Sequence, residues 1–174
     1  MITIKRPTKI VELCVDLGLA AEHDRAEKEL IDAQKRGIGM ENSGVPEAAE
    51  AVEDIEKRMQ SSTLEFVLQA IPRKQFGEFE ANHPPRVGDK TDENLGVNVS
   101  ELDGLIAQCV LSVREKVSGD VVDFDPVDWT TLADDMTDGQ WQIFALAALQ
   151  VNRGVTAAPF SRAALLAIQR SEKN

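Results

Sequence analysis

The sequence is poor in the residues from which most reactive or metal-binding centres are built, with two cysteines and two histidines in 174 residues. Cys14 and Cys109 stand 95 positions apart in apolar segments, so they read as buried reduced thiols, with a disulfide the lesser alternative. Together with His23 and His83 they give separations of 9, 60 and 26 residues, which match no common zinc spacing. A Ser-His or Cys-His nucleophile pair would have to use one of these two histidines, and no nucleophile motif surrounds Ser161. No stretch approaches the roughly 20 apolar residues of a membrane-spanning helix. The opening Met1 to Lys9 lacks the apolar core of a signal peptide, so the chain is expected to stay in the cytoplasm that makes it. Positive charge is also scarce: 19 Lys plus Arg stand against 30 Asp plus Glu, a formal net charge of −11. Phosphate neutralisation supplies most nonspecific nucleic-acid affinity, and aromatic residues are not interleaved with basic ones, so a nucleic-acid-coating role is excluded.

What is present suits one folded unit. Hydrophobic residues make up 43% and charged residues 28%, and a chain this long buries enough surface to fold without a metal or disulfide framework. Residues 9 to 17 alternate in polarity and predict a half-buried strand. After Gly18, the series Leu19, His23, Ala26, Leu30 and Ala33 predicts an amphipathic helix ended by Gly37. The loop 37–46 follows, and then Ala48, Val52, Ile55 and Met59 form a second helical stripe starting near Ser43, Gly44 and Pro46. Neither stripe can be buried alone, which predicts an antiparallel helical hairpin, with packing of either stripe on a sheet as the alternative. Leu64 to Ala70 alternates again and predicts a second strand able to pair with the first. A short helix after Pro72 places Phe76 and Phe79 on one side and stops at Pro84-Pro85.

Residues 86–97, RVGDKTDENLGV, are polar and glycine-containing, the best candidate for a mobile surface loop. Leu102, Leu105, Ile106, Cys109, Val110 and Val113 have the spacing of one well-buried helix. Asp125-Pro126 opens a short acidic helix with Trp129, Leu132 and Met136, and Thr137 with Gln140 resembles a capping box. The helix Trp141 to Asn152 is apolar on more than one face, fitting either a core position or an oligomer contact, and a last amphipathic helix follows Ser161. The expected fold class is therefore α+β and predominantly helical: two short strands in the N-terminal half with a helical hairpin, followed by a C-terminal helical bundle. Residues 1–61 hold the first strand and hairpin, 62–170 the remaining core in one continuous compact unit with it, and 171–174 a polar tail.

Chemical motifs are missing. Gly39 and Gly44 have the gap of a phosphate-binding loop, but Val45-Pro46 stands where the lysine and hydroxyl residue belong. The aspartates between Asp120 and Asp138 lack the spacing and glycine of an EF-hand and sit near helix starts, where negative charge meets the helix dipole favourably. No catalytic residue, metal or cofactor is expected, and enzymatic activity finds no support.

Several short clusters point further in combination. Phe66-Val67-Leu68-Gln69-Ala70-Ile71-Pro72-Arg73-Lys74-Gln75-Phe76 is followed by His83-Pro84-Pro85 and Gly96-Val97-Asn98-Val99. Then come Trp129, Thr137-Asp138-Gly139-Gln140-Trp141, Asn152-Arg153-Gly154 and Pro159-Phe160-Ser161. In order and spacing, over roughly residues 62 to 168, this resembles the tail assembly chaperones of long-tailed (siphovirus-type) bacteriophages. Leu13-Cys14-Val15-Asp16 and Ala21-Glu22-His23 fit the pattern more loosely, and the acidic helix at 46–60 departs from it.

The resemblance implies a protein of the infected host's cytoplasm, absent from the mature virion, that binds the tape measure protein, keeps it soluble and helps tail tube protein polymerise around it. It also implies a longer product made by ribosomal frameshifting; Glu172-Lys173-Asn174 permits the codons GAA AAA AAC, which contain the slippery run A AAA AAC. Trp141, Phe144, Leu149 and Phe160 are the candidate partner-binding residues, with a purely core role as the alternative. Homo-oligomers, rings or dimers, stay open. The runner-up function is a structural neck or tail-completion protein retained in the virion.

Overall fold

The computed structural model describes residues 3–36 and 44–154. Phe160, the expected helix after Ser161, the tail 171–174 and most of the loop 37–46 lie outside the described residues. The fold is α+β and predominantly helical, as expected, with seven α-helices and a four-stranded antiparallel sheet among the described residues.

Strand β1, Thr8–Cys14, pairs with β2, Thr63–Gln69, through the register Val11↔Phe66 and Leu13↔Leu64. Alternation sends Val11 and Leu13 inward while Ile10 and Glu12 face out, because a strand turns successive side chains to opposite faces. In place of a tight turn, the two strands are joined by the helical hairpin α1, Leu17–Arg36, and α2, Val45–Ser61. The two helices pack on one another. Leu19, Ala26 and Ala33 of α1 are buried, at the spacing of seven residues that returns to one helix face. Pairs Arg58–Glu22 (2.9 Å) and His23–Glu56 (3.3 Å) cross between the helices. Gly44 caps α2 at φ +67°, a conformation open to glycine, just ahead of Pro46 in the first turn. The hairpin contributes no residue to the main core cluster and so forms an arm outside it. The sheet takes β1 from before the boundary at 61/62 and its other strands from after it.

Beyond β2, α3 (Arg73–Asn82) buries Phe76 and Phe79 and ends at His83, whose Nδ1 lies 2.9 Å from the Phe79 carbonyl oxygen. The stretch expected to be a mobile loop is instead folded. Residues Lys90–Leu95 form α4, capped by the Asp89 side chain accepting from the amides of Thr91 and Asp92. The cause is Asp92, fully buried, which accepts from Arg86 Nε (2.7 Å) and Nη2 (3.0 Å) and from the amides of Arg86 and Val99. The Arg86 hydrogen bond, reinforced by these amides, holds the Asp92 carboxyl far below the usual carboxylate range.

A second correction concerns the helix expected to run to Val113. Helix α5, Leu102–Cys109, ends there, and Val110–Glu115 is strand β3, paired with β2 through Phe66↔Val113 and Leu68↔Val110 around a bulge. A two-residue strand β4, Val121–Val122, closes that edge. Two strands are thus added to the expected pair. Asp125 caps the turn leading to α6, Trp129–Asp134, and Thr137 with Gln140 makes a full capping box for α7, Asp138–Arg153.

Helices α5 and α7 cover the inner face of the sheet. At the centre Phe66 meets Phe144 edge-on at 5.1 Å and Phe124 at 5.5 Å, with Trp129 5.0 Å from Phe144. Cys109 is buried beneath them and Cys14 half-buried, both as free thiols; burial pushes the Cys109 thiol up from its ordinary pKa. The expectation of two buried thiols holds for Cys109 and is corrected for Cys14, which sits at a strand end.

Candidate partner-binding surface

Helix α7 carries three of the four residues proposed for partner contact, and the structure separates them. Phe144 and Leu149 are 1% and 3% exposed. They point into the core with Ala145, Ala148 and Val151, so neither offers a contact surface unless the core opens. Trp141 is half-buried, and Phe160 lies outside the described residues. The structure therefore brings Trp141, Phe144 and Leu149 onto one helix without bringing them to one surface.

Trp141 has a fixed role in packing. Its indole N–H donates to Asp103 Oδ1 at 2.7 Å, and the buried Trp129 indole donates to the same oxygen at 2.8 Å. One carboxylate on α5 thus ties α6 and α7 together. Sequence reasoning missed Asp103, since an acid in the first turn of a helix is ordinary and only the fold brings two indoles to it.

The surface instead exposes other apolar side chains. On α7 these are Ile143 (55%) and Leu146 (45%), three positions apart on the solvent side. A second group, Val15 and Leu17, lies at the junction of β1 and α1, and Ile31 lies farther along the arm. The outer face of the sheet presents Ile10 beside the ion pairs Lys116–Glu12 (2.6 Å) and Arg114–Glu65 (3.9 Å). Alternation puts Val15 and Leu17 on the parity of the buried Val11 and Leu13, so it gives no reason for both to remain at the surface.

Among the described residues, the groups with potential metal ligands come together once, where His23, Asp24 and Glu27 bring ligand atoms within 4.8 Å on the outside of α1. His23 Nε2 is engaged by Glu56, and both carboxylates are exposed, so the trio reads as a solvated helix face. No helix among the described residues is long and apolar enough to cross a membrane. No protein-family model, curated protein or solved structure matches the chain.

Proposed function

We propose that the chain is a tail assembly chaperone of a long-tailed bacteriophage, binding the tape measure protein reversibly, keeping it soluble and promoting assembly of tail tube protein around it. The order and spacing of the motifs between Phe66 and Ser161 carry this reading. The geometry is compatible with it on one specific point. A helix-rich chain of net charge −11 leaves Ile143, Leu146, Val15, Leu17 and Ile31 exposed, apolar side chains of the kind that can cover the apolar stripe of a long helical partner. Excess negative charge then keeps the complex apart from other complexes. Contact through α7 falls on Ile143 and Leu146, with Phe144 and Leu149 holding the helix in place from behind.

The test is co-expression with the tape measure protein encoded by the same genome. Soluble tape measure protein recovered with this chain, and insoluble without it, is the expected result. Tape measure protein whose solubility is the same with and without the chain overturns the proposal.

A further inference from the structure

At the junction where β1 passes into α1, Leu13, Val15 and Leu17 form one wall of a cleft of about 170 Å³, Leu132 and Met136 form the other, and the Gln140 side-chain amide joins the walls by donating to the Cys14 carbonyl oxygen at 3.2 Å. Asp135 also lines it, and no basic residue does. Val15 and Leu17 are 52% and 44% exposed, so the cleft continues onto open apolar surface. Its volume sets the scale of the occupant. An apolar cavity of about 150 Å³ accommodates a benzene ring, whereas small-molecule and cofactor sites start at roughly 300 Å³. One leucine, methionine or phenylalanine side chain fits; a nucleotide does not.

The rim supplies the second half of the recognition. Asp135 lines the α6–α7 side, and Asp134, its neighbour in sequence, is exposed there; Asp16, between Val15 and Leu17, is exposed but accepts from the Gly18 amide at 3.1 Å. A largely apolar cleft with a carboxylate in one wall and no basic residue selects an apolar anchor accompanied by cations, since opposite charge at a contact sets orientation and association rate.

We infer that this cleft docks an amphipathic helix of the partner protein, inserting one apolar side chain flanked about one turn away by lysine or arginine. The assignment deepens the chaperone reading by naming the kind of helix bound, and its test is separate from the co-expression test. The probe is a fluorescein-labelled synthetic helix of about 20 residues in an alanine and glutamine background, with one leucine flanked by lysines, titrated into the full chain and read by anisotropy.

Binding should weaken by roughly tenfold or more when the probe's leucine becomes serine, and again when the chain carries Asp134→Lys with Asp135→Lys. Both aspartates are exposed at the end of α6, where lysine is compatible with the helix dipole, so the fold is kept. Glu47→Lys with Glu50→Lys on α2 changes the net charge equally and should leave binding intact. Equal weakening by the two double variants reduces the effect to net charge and overturns the assignment, as does no weakening by either. Sedimentation equilibrium reads the other occupant: a dimer of this chain that Asp134→Lys with Asp135→Lys dissociates also overturns it. Probe binding with the expected pattern, together with unchanged tape measure solubility, upholds the cleft and rejects the chaperone reading.

Discussion

Asp103 offers the sharpest test of how the C-terminal helices are held, because one of its oxygens accepts from both tryptophans of the chain, at 2.7 and 2.8 Å. In Asp103→Ala both indole donors lose their acceptor. Trp129 is 1% exposed, so its N–H carries the cost of an unsatisfied buried donor, about 1–3 kcal/mol. Trp141 is half-buried and can recover a water, which limits its share to about 0.5–1 kcal/mol. The sum is a loss of about 1.5–4 kcal/mol. With a urea slope of roughly 2 kcal/mol/M, the unfolding midpoint should fall by about 0.8–2 M. Both tryptophans report the transition by fluorescence, and far-ultraviolet circular dichroism checks that the two probes coincide. Asp103→Asn keeps an amide oxygen in place of Oδ1 and should recover a large part of the loss. A shift below about 0.5 kcal/mol in the alanine variant, or equal losses for alanine and asparagine, would refute the reasoning.

Asp92 has its folded pKa depressed, chiefly by Arg86, so its contribution to stability is present above the unfolded carboxylate value near 4 and is lost as pH falls through and below it. Thermal unfolding of the wild-type chain and Asp92→Asn between about pH 7 and pH 3 should show a gap that narrows toward acid. Phe144→Ala removes a ring packed against Phe66 and Trp129 and should cost about 3–5 kcal/mol in chemical denaturation, a value that a surface residue would not give. Gly104 lies inside α5, and a Cβ there meets nothing within 4 Å, so Gly104→Ala should raise stability by about 0.5–1 kcal/mol in the same assay.

Local signals account for much of the architecture. The alternation at Val11 and Leu13, the stripe Leu19, Ala26 and Ala33, and the Thr137 and Gln140 capping box each encode their element within a few residues, and each lies where sequence reading places it. The misread elements depend on distant partners. Val110 and Val113 continue the helical spacing of Leu102 to Cys109, and pairing with Phe66 and Leu68, more than 40 positions away, turns that segment into a strand. The polar run at 86–97 shows no apolar periodicity because its organising contact is an ion pair between Arg86 and the buried Asp92. Phe144 and Leu149 look like surface candidates on a helix apolar all round, and only the packed sheet shows which side faces solvent. The cleft beside Val15 and Leu17 is assembled from β1, α1, α6 and the turn before α7, so no contiguous motif announces it.

On the proposed function, this chain acts during tail assembly and leaves before the particle is complete. Quantitative mass spectrometry of infected-cell lysate and of purified particles, with peptides covering the C-terminus and any frameshifted extension, tests it most directly. A protein abundant in lysate and missing from particles is the expected result. Persistence in particles at a fixed copy number would contradict it and identify a structural neck or tail-completion component.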